Sequence, residues 1–264
     1  MRKRNFRVKK KKPFFKKKFF GILILGTVSL GLLFYLIVFS PFFQINEFTI
    51  LGNQKVNSHI IKNFLESSAE RKIFLWKTRS IFLTDIADSE RRIKENNPQI
   101  ESVHIEKNFP HSLIVEIKER KPIAIFCQKE NCFFLDKNGI IFEKTSDKGD
   151  LLLIEGDNNK SNLNLGKEII PPETVFKILK VENGTKDIKF LSLSIKEPHK
   201  FIFKTKEGPE IYFDFQGDLN QQIFNLETFL REKVKPENLK VINYIDVRFG
   251  NRVFWKEKSV DNEK

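Results

Sequence analysis

Acidic residues are missing from the start of this chain, and the first to occur is Glu47. Cysteine is nearly absent too, with Cys127 and Cys132 the only two. The four histidines, His59, His104, His111 and His199, are scattered without the spacing of a zinc motif such as HExxH. No G-x-S-x-G elbow, P-loop or SxxK is present. The 34 carboxylates interleave with lysines and read as a solvated surface. These absences disfavour enzyme classes that depend on such motifs, and the expectation is a chain with no catalytic, cofactor-binding or metal site and no small-molecule substrate. There is no long Gly/Ser or Pro linker and no internal repeat, so domain boundaries must be read from pattern.

What the amino terminus has instead is cationic charge. Arg2, Lys3, Arg4, Arg7, Lys9 to Lys12 and Lys16 to Lys18 give eleven positive charges ahead of Phe19. An uncharged run follows, Phe19 to Phe39 (FFGILILGTVSLGLLFYLIVF), long enough at about 1.5 Å per residue to span ~30 Å of hydrocarbon. The positive-inside rule places residues 1–18 in the cytoplasm and everything after about Ser40 outside. A cleaved signal peptide has a shorter apolar region and small residues at its cleavage site, whereas this run exits into Ser40-Pro41-Phe42-Phe43. Gly21, Gly26 and Gly31 recur every five residues, which is not the spacing of a GxxxG dimer face.

The same tail accounts for the net charge of +13. Without its eleven cations the chain carries 36 basic against 34 acidic residues, so the basicity does not point to nucleic acid. It suits an anionic leaflet, where each Lys or Arg near the surface contributes about 1 kcal/mol. Membrane lipids are the expected partner of the tail.

The rest divides by periodicity. Residues 44–120 read as a β-α-α-β-β unit. A strand over 44–51 ends at Gly52-Asn53, and a helix starts near Ser58, capped by Asn57 or Ser58. A second helix, capped by Thr84 or Asp85, stops before Asn97-Pro98. Val103, Ile105 and then Leu113, Val115, Ile117 alternate with polar residues across an Asn108-Phe109-Pro110 turn, the mark of strands buried on one face. Residues 121–256 read as short strands with two helices, at 172–180 and 219–233. Asp218 and Gln221 are spaced as a capping box for the second helix. Two final strands over 241–255 flank Gly250-Asn251, and 257–264, charged and without an apolar stripe, is expected to be disordered. The predicted fold class is α+β: a single N-terminal transmembrane helix (19–39) after a basic tail (1–18), a β-α-α-β-β domain and a mainly antiparallel β domain.

Cys127 and Cys132 fall in the exported part, where a disulfide is chemically permitted. They flank residues 128–131 and can face each other across a hairpin if their Cα atoms approach within about 7 Å. A local bridge is expected, and two free thiols are the alternative. Near the C-terminus Arg252 and Trp255 are large side chains of the kind that anchor interfaces, beside an expected sheet edge.

Three stretches resemble the FtsQ/DivIB family of bacterial cell-division proteins, whose first exported domain is a POTRA domain. The first runs from Phe43-Gln44-Ile45 to Leu51-Gly52-Asn53 and Val56. The second is Asn97 to Ala124, NPQIESVHIEKNFPHSLIVEIKERKPIA, similar to the family's "P.v..A.V.r..P.tL.V.v.Er.PvA". The third is Leu135-Asp136-Lys137-Asn138-Gly139 with Tyr244-Ile245-Asp246-Val247-Arg248-Phe249, similar to "lvD..G" and "IDLRY". The resemblance implies a non-enzymatic divisome scaffold in the cell (inner) membrane at the septum, with its C-terminal domains periplasmic or otherwise extracytoplasmic. It also implies FtsB- and FtsL-like partners that lead to septal peptidoglycan synthesis. By the same resemblance Arg248, Phe249 and Trp255 become contact residues, since the C-terminal strands of FtsQ-like proteins receive FtsB. Two other readings compete. An outer-membrane biogenesis component would need a barrel of about sixteen strands of ~10 residues, more chain than follows residue 120. A membrane-anchored hydrolase would need the catalytic constellation that is missing.

Overall fold

The computed structural model describes residues 14–73, 75–147, 149–156, 163–185, 188–197, 200–206, 208–234 and 236–258. Helix α1, Phe14–Phe39, begins inside the stretch expected to be tail. Its segment Phe19–Phe39 is long and apolar enough to cross a membrane, and its side chains are exposed as far as Ile37. A 3-10 turn at Pro41–Phe43 ends the run, with the Ser40 hydroxyl accepting from the Phe42 amide.

Two compact units follow from the contacts, one of Met1–Ile93 with Val103–Ile117, the other of Lys94–Ser102 with Lys118–Lys264. In the first, β1 (Glu47–Leu51) leads through α2 (Ser58–Ala69), a small hairpin of β2 (Arg71–Ile73) and β3 (Trp76–Thr78), and α3 (Ile86–Asn96) to β4 (Ile100–Asn108) and β5 (Ser112–Glu119), the last two crossing the division. The sheet order is β1-β5-β4, with β1 parallel to β5. Parallel neighbours need a long crossover, which α2 and α3 supply. Asn57 caps α2 by accepting from the His59 amide, and Asp85 accepts from the Asp88 amide at the start of α3. Ile61, Leu65 and Ala69 form the buried stripe of α2, at the spacing of one helix face. Gly52 sits at φ 82°, and a Cβ there would lie 2.2 Å from the Ile117 carbonyl oxygen, so the turn after β1 requires glycine.

The second unit is built on nine strands, β6 (Ala124–Gln128), β7 (Asn131–Leu135), β8 (Ile141–Thr145), β9 (Leu152–Glu155), β10 (Phe190–Glu197), β11 (Lys200–Thr205), β12 (Glu210–Phe213), β13 (Ile242–Phe249) and β14 (Arg252–Glu257). Their order is β14-β13-β12-β11-β10-β9-β6-β7-β8. Most ladders are antiparallel; β6–β9, β9–β10 and β12–β13 are parallel. Helix α4 (Pro172–Gly184) makes the crossover from β9 to β10 and α5 (Leu219–Lys233) that from β12 to β13. Both helices bury apolar stripes, Val175-Ile178-Val181 and Ile223-Leu226-Phe229, in one core with Phe203, Phe213, Ile245 and Val247 of the sheet. Each fully buried phenylalanine there contributes about 1.5–3 kcal/mol.

Four sequence expectations need correcting. The β2–β3 hairpin was not foreseen, because two three-residue strands with no Gly or Asn turn leave no period-two signal. Helix α4 runs to Gly184, past the expected end, since Val181 extends its stripe. Asp218 does cap α5, accepting from the Asn220 and Gln221 amides, but Gln221 Nε2 reaches along the helix to Asn225 Oδ1, so the expected reciprocal box is not the arrangement seen. At the C-terminus Glu257 belongs to β14 and the Lys258 amide donates to the Val241 carbonyl; the rest of the expected disordered tail lies outside the described residues.

A buried ion pair organises the turn after β7. Arg120 donates to Asp136 Oδ2 through Nη1 and to the Pro98 carbonyl through Nε at 3.0 Å. Asp136 Oδ1 accepts from the amides of Asn138 and Ile140, each at 2.9 Å. Gly139 completes this turn at φ 72°, where a Cβ would lie 1.8 Å from the Ile170 carbonyl oxygen.

Candidate partner-binding surface

Strand β13 alternates for a physical reason: Ile245 and Val247 point into the core, while Tyr244, Asp246 and Arg248 occupy the other face. Asp246 is buried, and Arg248 holds it with Nε at 2.9 Å and Nη2 at 2.7 Å, a bidentate charge-assisted pair within one strand. Arg248 thereby becomes a rigid plate. Its guanidinium lies 5.3 Å from the Phe249 ring and 5.9 Å from that of Tyr212 on β12. Tyr212 stacks on Tyr244 at 5.3 Å, and Lys200 Nζ lies over the Tyr212 ring at 4.4 Å. Its hydroxyl donates to Glu210, and burial, with that carboxylate, pushes its pKa up to about 12.

Strand β14 terminates the sheet. Across the Gly250-Asn251 turn Phe249 pairs with Arg252, and Asp246 with Phe254. The Phe249 and Phe254 rings meet edge to face at 5.4 Å. With Tyr244, Asp246 and Arg252 they line an open groove of about 830 Å³. Asn225 of α5 fixes the turn by donating to the Gly250 carbonyl.

The structure separates the residues singled out in the sequence. Arg248, Phe249 and Arg252 share one face. Trp255 pairs with Ile245 and lies on the opposite, core-side face, its ring 5.9 Å from Phe229 of α5. Sequence reasoning missed Tyr212, Tyr244, Lys200 and Phe254. A usable signal was composition, since Tyr212 and Tyr244 are two of only three tyrosines in the chain. Cys127 and Cys132 occupy paired positions on β6 and β7 and are joined by a disulfide with Cα atoms 4.1 Å apart. They lie at the other end of the sheet order and take no part in this surface. Among the described residues no three His, Cys, Asp or Glu gather as metal ligands.

The two edges of the sheet differ. Beside β8, Ile141 exchanges backbone bonds with Gly166 and Lys167, and Ile140 bridges to Glu168. Edge strand β14 is solvent-facing at nearly every position, with exposed Phe254 and Trp255 on its two faces. Such an edge is a template for another strand.

Comparison with known proteins bears on what this surface serves. Residues 43–120 match the FtsQ-type POTRA domain. The chain is 29% identical over 267 residues to the cell division protein DivIB of Clostridium botulinum strain Hall, covering 96% of this chain and 95% of that one. It is 28% identical over 130 residues to DivIB of Clostridium acetobutylicum, about half of each chain. To the cell division protein FtsQ of Syntrophotalea carbinolica it is 25% identical over 187 residues, 67% of this chain and 64% of that one. The FtsQ-type POTRA match and the likeness to DivIB over nearly the whole chain support the FtsQ/DivIB family. Its role is in cell division, and its N-terminal apolar helix is that of a single-pass membrane protein. In this chain the groove and the β14 edge lie beyond the POTRA match.

Proposed function

We propose that this FtsQ/DivIB protein is a non-enzymatic scaffold of the divisome, anchored by α1 with residues 1–18 in the cytoplasm and the remainder outside, at the division septum. In this reading the β14 edge receives a strand from an FtsB-like partner, and through it FtsL and septal peptidoglycan synthesis are linked. The observation that carries the proposal is the exposed terminal strand β14 beside a groove lined by Phe249 and Phe254. Main-chain bonds to such an edge supply affinity, and pockets for alternate side chains supply specificity. Phe249 and Phe254 are the apolar anchors, Arg252 the cationic rim, and Arg248 the plate against which Phe249 is held.

Binding of the full chain in nanodiscs to an FtsB-like partner tests this. Phe249→Ala should weaken binding about 5–30-fold, the 1–2 kcal/mol of a moderate hot spot. Arg252 is the cleaner charge probe, because a carboxylate at 248 would face buried Asp246 and threaten the fold itself. Arg252→Glu should weaken binding and flatten or reverse its dependence on salt. Variants that keep the circular dichroism of the parent, bind the partner and support division as well as it does would show these side chains to be ordinary surface.

A further inference from the structure

The β2–β3 hairpin adds nothing to the sheet of the first unit, yet it exposes two large apolar side chains. Leu75, in its turn, is 87% exposed and Trp76 61%. Two three-residue strands are marginal in water by themselves. Part of what holds them is the end of α1. Pro41 has no amide hydrogen, so the Ile37 carbonyl lacks its helical donor, and the carbonyls beyond it are orphaned in the usual way. Ser80 Oγ donates to Ile37 at 3.0 Å, Thr78 Oγ1 donates to Val38, and Gln44 Nε2 also reaches Val38 at 2.9 Å. The Trp76 ring meets Phe39 edge-on at 5.4 Å and Tyr35 at 6.4 Å.

Those ring contacts fix a depth. The apolar span Phe19–Phe39 has 21 residues and is about 31 Å long at 1.5 Å per residue, close to the ~30 Å of a hydrocarbon core. Phe39 then stands at the outer hydrocarbon boundary and Tyr35 about 6 Å inside it. A ring packed between them lies at that boundary, where tryptophan is favoured. The hairpin is also cationic. Lys72 faces Lys77 across the ladder, an unfavourable pairing in isolation. Glu70 binds Lys77 at 2.6 Å and Arg79 at 3.7 Å, which leaves Arg71 and Lys72 exposed and without an ion pair among the described residues. Exposed Phe42, Phe82 and Phe109 continue the aromatic surface, linked through Phe43 by ring contacts of 5.0 to 5.4 Å.

We propose that the β2–β3 hairpin dips into the outer leaflet of the membrane beside α1. Leu75 and Trp76 enter the acyl boundary, and Arg71 and Lys72 bind phospholipid phosphates by extending towards the headgroups. The occupant of this surface is lipid. The hairpin thereby braces the first unit against the bilayer at a second point. The inference rests on α1 being a membrane anchor, and does not depend on the role proposed for β14.

Trp76 and Trp255 are the only tryptophans, which makes depth measurable. In a Trp255→Phe background, the full chain is reconstituted into vesicles of phosphatidylglycerol and phosphatidylcholine brominated at shallow or deep acyl positions. Trp76 emission should fall severalfold with shallow bromines, less with deep ones, and resist aqueous iodide. Moving the probe to the tip with Leu75→Trp and Trp76→Phe should keep the preference for shallow bromines. Leu30→Trp, also in a chain with Trp76→Phe and Trp255→Phe, reports on the anchor and should favour deep bromines; if it does not, the anchor reading fails first. A deep Leu30→Trp signal together with iodide-quenched, bromine-insensitive probes at 75 and 76 overturns the hairpin proposal and assigns the surface to something other than lipid. Arg71→Glu with Lys72→Glu should weaken quenching of Trp76 by shallow bromines, and no change there would remove the two cations from the mechanism.

Discussion

Single residues in this protein are constrained mainly by what they exclude from water. Glu182 on α4 is held above its ordinary pKa by burial. A carboxyl whose folded pKa is raised contributes fully below the unfolded value near 4.5, and that contribution is lost as pH rises through the folded pKa. Glu182→Gln should therefore raise the melting midpoint of the detergent-solubilised chain at about pH 7, and the gain should vanish at about pH 4. Calorimetry at the two pH values checks this, and an equal gain at both would mean that charge is not the cause. Arg248 shows how far one residue can be read from sequence. Its position on the last strands was legible from the run Tyr244–Phe249. Its bidentate hold on Asp246 was not, because two residues apart on a strand places side chains on one face without saying that they bond. The face that Trp255 takes was not legible, because the strand break at Gly250-Asn251 hides which face follows the turn.

At the scale of elements, the strands with clean alternation were the legible ones. β4, β5 and β13 follow period two and stand where the pattern puts them, and α5 carries its stripe and its Asp218 cap. Pairing was not legible. Nothing in Leu152–Glu155 announces that β9 lies parallel between β6 and β10, since four apolar-rich residues fit any buried neighbour. The turn of Asp136 to Gly139 falls in a stretch that the resemblance singles out, but its burial against Arg120 depends on a residue sixteen positions away. Removing one partner of a buried pair leaves an uncompensated charge, so Asp136→Ala should destabilise by about 3–5 kcal/mol. The second unit should unfold at correspondingly lower denaturant. Replacing Arg120 and Asp136 together by apolar residues of similar volume should cost clearly less than the sum of the single changes. Additive losses would mean that the two side chains act independently.

For the whole molecule, charge is the organising variable. Eleven cations before the apolar span and none of opposite sign until Glu47 predict one crossing and one orientation. A reporter that works only outside the cytoplasm, fused after Lys264, should be active, and activity of a cytoplasm-only reporter at that position would reverse the topology. The order of strands adds a constraint in time. Among the described strands β14 pairs with β13 alone, and β13 joins the sheet through a parallel ladder that waits for the α5 crossover. A lone β13–β14 hairpin is marginal, and contacts between strands distant in sequence form slowly. If recruitment runs through β14, the edge it needs is complete only once β12, α5 and β13 have docked, so a molecule caught midway through translocation or refolding would offer no matching seat. Recruitment through β14 would then act as a maturity check, admitting only copies whose folding has run to its end.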